Sequence, residues 1–184
     1  MIGKSAFSCC TKLQSIQLSS SLITIEYAAF AFCSSVKTII LPALVSNIGA
    51  HAFKHCECLK EITIPASICT TQYCMNKYSY IQPDKNYLGD YAFENCYSLR
   101  PIIVENPLLA YQLIKSFDYE YNRSIRRAVG IPGATKIEFS KTTSQRDKQI
   151  YDWMINHRCR HCGGKIGVWN EKCKSCGKSK DYKD

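Results

Sequence analysis

Four cysteines near the C-terminus carry the clearest chemistry in this chain. Residues 159–176 read CRHCGGKIGVWNEKCKSC, which sets Cys159, Cys162, Cys173 and Cys176 as two C-x-x-C pairs with ten residues between them. Each pair suits a tight turn, and Gly163 and Gly177, which follow the pairs, can take the positive φ that such a turn uses. Two pairs on a short hairpin bring four soft thiolates into a tetrahedron, a donor set that suits zinc. Every position is a thiolate, so none stays open for a water, and one such Zn2+ would be structural rather than catalytic. The rivals on spacing alone are an iron site of rubredoxin type, usually with a longer gap, and two disulfides in an oxidising setting. His161, inside the first pair, reads as a solvated surface residue.

The stretch resembles a short zinc ribbon over about residues 158–182, with a strand near Lys165 to Trp169 and a turn near Asn170-Glu171. A ribbon that small has almost no core, so ligation would supply its folding free energy, of the order of 10 kcal/mol. The elements before it must hold it. Ser144 followed by Gln145-Arg146-Asp147 is a capping-box-like start for a helix carrying Ile150, Trp153, Met154 and Ile155, ending near His157. Lys136 to Ser140 alternates like a short strand. Asn106-Pro107 is a second helix start, and Leu109, Ala110, Leu113, Ile114 and Phe117 make a stripe through about Asp118. A further helical piece with Tyr121 and Ile125 runs toward Val129, and Gly130, Pro132 and Gly133 end it. Residues 107–157 therefore read as a helical cap and linker.

Residues 1–107 follow one pattern. Ile48 opens IGAHAFKHCECLKEITIP; Ile25, Ile2 and Leu88 open close copies of it. The first three openings lie 23 residues apart, and the last follows after 40. An Ala-Phe pair recurs as Ala6-Phe7, Ala29-Phe30, Ala52-Phe53 and Ala92-Phe93, and a cysteine as Cys10, Cys33, Cys56 and Cys96. A fixed period in the twenties marks a solenoid. In L-x-x-I-x-I the last two apolar residues share one face of a strand, as Ile62 and Ile64 do. The Phe should fill the interior from the outer wall, and the cysteine should sit inside as a small apolar residue.

This motif resembles the BspA-type leucine-rich repeat, a family found on bacterial and protist surfaces. The resemblance covers residues 2–107 in four copies and implies a leucine-rich-repeat solenoid with a parallel β-sheet and short helices or turns on the outer wall. The expected organisation is thus a solenoid over 1–107 with an insertion at about 69–87, a cap and linker over 107–157, and a four-cysteine zinc ribbon, a small β-hairpin module, over 158–184. No cap precedes Ile2, so self-association through the first repeat is expected as one outcome.

The outward residues of the repeat strands are Ser15, Gln17, Thr38, Ile40, Glu61, Thr63, Pro101 and Ile103, a mildly polar face. The insertion contains Tyr73, Tyr78, Tyr80 and Tyr87, and tyrosine-rich loops on rigid scaffolds are common binding surfaces. No apolar run is long enough to span a bilayer, and Met1 leads directly into the first repeat without a signal-peptide pattern. Single thiols together with metal-type pairs favour a reducing compartment, the cytoplasm. No phosphate loop, nucleophile motif or open metal site supports an enzyme. The reading is a non-catalytic protein-interaction scaffold, with the sheet face or the insertion as the contact surface. Of the net charge of +9, +8 lies in residues 108–184 (16 basic, 8 acidic). The alternative is therefore nucleic-acid binding through Arg123, Arg126, Arg127, Arg158, Arg160, Lys165, Lys172, Lys174, Lys178 and Lys180, with Trp169 stacking on a base.

Overall fold

The alternation in the repeats becomes strand geometry. A computed structural model describes residues 1–71, 86–114, 125–127, 129–132, 135–141, 143–156, 158, 163–164 and 175–176. In β4 (Glu61–Ile64), Ile62 and Ile64 are buried while Glu61 is exposed, and in β2 (Thr38–Ile39) Ile39 is buried while Thr38 is exposed. These strands pair in parallel, and β4 pairs with β7 (Ile102–Val104) in the same register, Ile62 against Ile102 and Ile64 against Val104. Like residues therefore lie over like residues from coil to coil.

A second parallel sheet, which the strand pattern did not reveal, runs along another side of the coil. It contains β1 (Thr24–Ile25), β3 (Asn47–Ile48), β5 (Thr70–Thr71) and β6 (Tyr87–Leu88), in the order β1-β3-β6-β5. Its strands have two residues each, too few for an alternation to show. Ile25, Ile48 and Leu88 face inward from it and are fully buried.

The order of that sheet explains how the insertion is accommodated. Thr70–Thr71 follows Glu61–Ile62 at the offset by which Asn47–Ile48 follows Thr38–Ile39, so β5 is the regular continuation of the third coil. Yet β6, which comes after the insertion, lies between β3 and β5 and pairs with both. The returning chain enters as an inner rung and β5 moves one place outward.

The wall between the sheets is built from the Ala-Phe segment. Phe30, Phe53 and Phe93 are fully buried, and with Phe7 their rings form a column with centroids 5.2, 5.6 and 5.7 Å apart and planes within 5° of parallel. That spacing lies just above the strand separation, as expected for one rotamer repeated by translation. The backbone N–H groups of Phe7, Phe30, Phe53 and Phe93 donate to the carbonyls of Ala29, Ala52, Ala92 and Val129 in the next coil. On either side of each Phe a non-glycine residue takes positive φ: Ser5 and Cys9, Ala28 and Phe32, His51 and His55, Tyr91 and Asn95, all between 51° and 62°. Such residues cost about 1 kcal/mol or more each. The cost is offset because they turn the wall into a ladder: Ala28, Phe32, His51 and His55 also donate their N–H groups to the following coil. Gly49 is required by close approach, since a Cβ there would lie 2.6 Å from the Glu26 and Tyr27 backbone.

The expected boundary at residue 107 falls inside the stack. The alternating stretch after it is a strand, β8 (Ile137–Phe139), which pairs in parallel with β7. Ile125, Val129 and Ile131 are buried in the same core, and Thr135 Oγ1 donates to the Leu99 carbonyl at 2.7 Å. A fifth rung is thus assembled from separate pieces: β5, residues around Val129, and β8. Helix α1 (Pro107–Ile114) starts where expected, with Asn106 Oδ1 accepting the Leu108 N–H at 2.8 Å, and it buries Leu109, Ala110 and Leu113. Helix α2 (Gln145–Ile155) is capped by Ser144, whose Oγ accepts the Asp147 N–H at 3.0 Å. It packs against α1, and its Tyr151 meets Phe139 edge-on at 4.8 Å.

Removing a ring from the column should cost far more than removing one from the surface. Phe53→Ala is expected to lower stability by about 3–5 kcal/mol, whereas Tyr97→Ala, at an exposed ring, should change it by about 0.5 kcal/mol or less. Urea midpoints of the two variants check this.

Candidate functional site

The repeated cysteines form a second internal column beside the rings. Cys33, Cys56 and Cys96 are fully buried, and each thiol donates to the Phe carbonyl of the preceding coil: Phe7 at 3.0 Å, Phe30 at 3.2 Å and Phe53 at 3.0 Å. Burial is the main cause that pushes the Cys33 thiol up to about 11 and that of Cys96 up to about 12. Cys56 is pushed up further, by burial first and then by the neighbouring Cys96 and Cys33. A thiol so disfavoured as thiolate is neither nucleophile nor metal ligand at neutral pH. The column is structural.

The candidate zinc ligands fall mostly outside the described residues. Cys159, Cys162 and Cys173 lie outside them, as do His161 and Gly177, and Cys176 is exposed. Among the described residues no group of three or more His, Cys, Asp or Glu side chains is placed to hold a metal. Gly163, directly after the first pair, is described. It is buried at φ +69°, the conformation expected of it, and a Cβ there would lie 2.7 Å from the Trp153 ring of α2.

Two lines of side chains cross the outer wall, one beside each set of positive-φ positions. In one, His51 stacks on Tyr91 at 5.3 Å and meets Tyr27 edge-on at 5.5 Å. In the other, Phe32 stacks on His55 at 4.8 Å, and His55 Nε2 lies 3.0 Å from Asn95 Nδ2. Carboxylates border both lines: Lys54 Nζ pairs with Glu94 at 2.8 Å, His51 Nδ1 lies 3.6 Å from the same carboxylate, and His55 Nδ1 lies 3.2 Å from Glu57. Burial raises the Asp90 carboxyl above its usual range, partly countered by His51. Tyr27, Phe32 and Tyr91 remain exposed.

The surfaces expected to bind are less distinctive. Thr38, Ile40 and Glu61 on the sheet are exposed, Thr63, Pro101 and Ile103 are half-buried, and no aromatic joins them. In the insertion, Tyr73, Tyr78 and Tyr80 lie outside the described residues, and Tyr87 is half-buried in β6. The basic set is divided. Arg126 is turned inward, donating to the Thr135 carbonyl at 2.7 Å and the Pro132 carbonyl at 3.4 Å. Arg127 and Arg158 are exposed; Arg123, Arg160, Lys165, Trp169, Lys172, Lys174, Lys178 and Lys180 lie outside the described residues. The wall aromatics were missed because the repeat was read for its apolar positions. Their signal was an aromatic or His directly before Ala-Phe (His51, Tyr91) or one residue earlier (Tyr27), and another two residues after the Phe (Phe32, His55).

Coils of this length, with short parallel strands and an inward Phe and Cys, define a leucine-rich-repeat solenoid. The model of the BspA type leucine rich repeat region matches six copies over residues 1–121, and the chain belongs to that family. The four copies expected from sequence are those with both Ala-Phe and cysteine; the family model counts six. Among solved structures, a leucine-rich repeat protein from Bacteroides ovatus is 32% identical, with a TM-score of 0.44, over 58% of this chain and 25% of its own. A leucine rich cell surface protein from Faecalibacterium prausnitzii is 28% identical, with a TM-score of 0.44, over 68% of this chain and 26% of its own. The pneumococcal vaccine antigen PcpA is 22% identical, with a TM-score of 0.42, over 75% of this chain and 33% of its own. The chain thus spans a third or less of the length of each. No curated protein matches it. No helix among the described residues is long and apolar enough to cross a membrane.

The raised thiols tie stability to alkaline pH. Unfolded thiols ionise near 9 while the folded ones stay protonated, so their contribution is complete below pH 9 and declines as pH rises through the folded values near 11 and 12. Each thiol should remove up to about 1.4 kcal/mol per pH unit in that window. Urea midpoints should stay nearly level from pH 8 to 9 and fall from 9 to 10.5, more shallowly in Cys56→Ala.

Proposed function

We propose that this chain is a non-catalytic protein-interaction scaffold, with its contact surface on the outer wall around Tyr27, His51, Tyr91 and Phe32. The observation that carries this reading is the row of exposed aromatics held by stacking and ion pairs on a hydrogen-bonded wall. Rigid tyrosine and phenylalanine rings lose little entropy on contact and are enriched at protein interfaces. The sheet face has no aromatic anchor among its described residues, so the wall is the better surface.

The four ribbon cysteines hold one structural Zn2+ in this proposal. The residues fit such a metal by donor chemistry, four thiolates in paired spacing, and by the positive φ of Gly163 behind the first pair. Zinc would supply folding free energy there and no reaction chemistry. The protein would work in the cytoplasm, a reading supported by the unbridged, exposed thiols of Cys9 and Cys58.

Two experiments test the parts separately. A photo-crosslinker placed at Tyr27 should capture one recurring protein, and Tyr91→Ala should weaken that capture about tenfold or more, as for a buried aromatic anchor. Equal capture from a crosslinker at Thr63 on the sheet would refute the wall assignment. Native mass spectrometry should find one zinc per chain, lost in Cys159→Ser with Cys173→Ser; a metal-free chain from zinc-supplemented cells would refute the metal site.

A further inference from the structure

The hydrogen bonds of the outer wall all run one way. The N–H groups of Ser5, Phe7 and Cys9 donate to the carbonyls of Tyr27, Ala29 and Ala31. The same repeat positions donate from each coil to the next, as far as His51, Phe53 and His55, which reach Asp90, Ala92 and Glu94. The wall of a coil therefore offers donors toward the coil after it and acceptors toward the coil before it. In the first coil the acceptor positions fall at Lys4, Ala6 and Ser8, and none of the described residues donates to these carbonyls. Cys10 stands where Cys33, Cys56 and Cys96 each donate a thiol proton to the Phe carbonyl of the coil before. The apolar positions agree with the polar ones. Ile2, Phe7, Cys10 and Leu13 are half-buried, while Ile25, Phe30, Cys33 and Val36, one coil on, are fully buried. Among the described residues the Phe7 ring is stacked on one side, by Phe30 at 5.2 Å.

We infer that this face of the first coil docks the last coil of another leucine-rich-repeat chain, through that coil's N–H-donating wall. The face sets three requirements on its occupant: N–H groups on alternate residues for Lys4, Ala6 and Ser8, a ring in register over Phe7, and a carbonyl for the Cys10 thiol. One Ala-Phe wall meets all three, because its Phe supplies the central N–H, the ring and the carbonyl together. The contact continues, one place outward, the contact between the first and second coils. An ordinary strand edge fits less well. It presents N–H and C=O groups in alternation, so its carbonyls would be buried against a row of acceptors without donors. A second copy of this chain does not fit either. Two such faces brought together would set carbonyl against carbonyl, and at the opposite end of the stack α1 packs over β5 and β8. The occupant is therefore a repeat coil of a different chain, and the site is separate from the aromatic lines of the wall.

The test uses the full chain in reducing buffer, with a head-to-tail cyclic peptide that copies one coil, residues 25–47, as the probe. Cyclisation holds the probe near its docked shape and lowers the ordering cost of binding. Fluorescence anisotropy reports binding, and hydrogen exchange read by mass spectrometry locates it. The probe should bind and slow exchange within residues 2–16 while leaving β7 unchanged. N-methylation of the probe at Ala28, Phe30 and Phe32 removes the three wall donors and should weaken binding about tenfold or more. Sedimentation velocity should find the chain alone monomeric. Absence of binding, or binding indifferent to N-methylation, would overturn the inference. A dimer that the probe disperses would overturn it in favour of a second copy on the same face.

Discussion

The structure depends on coils being translated copies of one another, and the wall enforces that translation. A Phe N–H reaches the Ala carbonyl of the next coil, the Phe ring stacks on the next ring, and the cysteine thiol returns to the Phe carbonyl of the coil before. These three contacts use one short segment and all demand the same spacing. None can be kept if a coil lengthens on the wall side. Insertions are therefore confined elsewhere, and the one large insertion leaves from β5 and returns through β6, away from the wall. Positive-φ residues are tolerated for the same reason: the strain of each is distributed into a ladder that runs the length of the stack.

The wall also explains why the candidate surface lies where it does. Left-handed residues at fixed intervals turn their side chains outward in register, so His51 and Tyr91, or Phe32 and His55, meet without any pairing in sequence. The sheets offer less, because their short strands leave few outward positions. Two of those, Thr38 and Thr63, are small and polar. A rigid backbone with aromatic groups held from both sides is the feature of this molecule most like a preformed interface.

Much of the fold was legible from spacing alone. The Ala-Phe pairs, the cysteine column, the burial of Ile62 and Ile64, and the caps at Asn106 and Ser144 follow from local rules and appear as expected. The second sheet was not legible, since two residues such as Asn47–Ile48 carry no period. The placement of β6 inside β5 was not legible either, because strand order depends on what a long insertion does in space. Lys136 to Ser140 read as a strand, but its partner did not: parallel pairing with Ile102–Val104 is a tertiary choice. For the candidate site, the four-cysteine spacing was explicit in sequence. The seat of Gly163 on Trp153 needed the fold, because nothing in the chain links a helix residue to the glycine behind a cysteine pair.

Successive coils form one closed stack, with Cys33, Cys56 and Cys96 sealed inside it. Thiol labelling across a urea series, mapped by peptide mass spectrometry, tests it most directly, with the exposed Cys9 and Cys58 as internal references. Cys9 and Cys58 should label rapidly in native buffer, and the three core thiols only at one shared urea midpoint. Core thiols labelled in native buffer at the rate of Cys9, or at three separate midpoints, would contradict it.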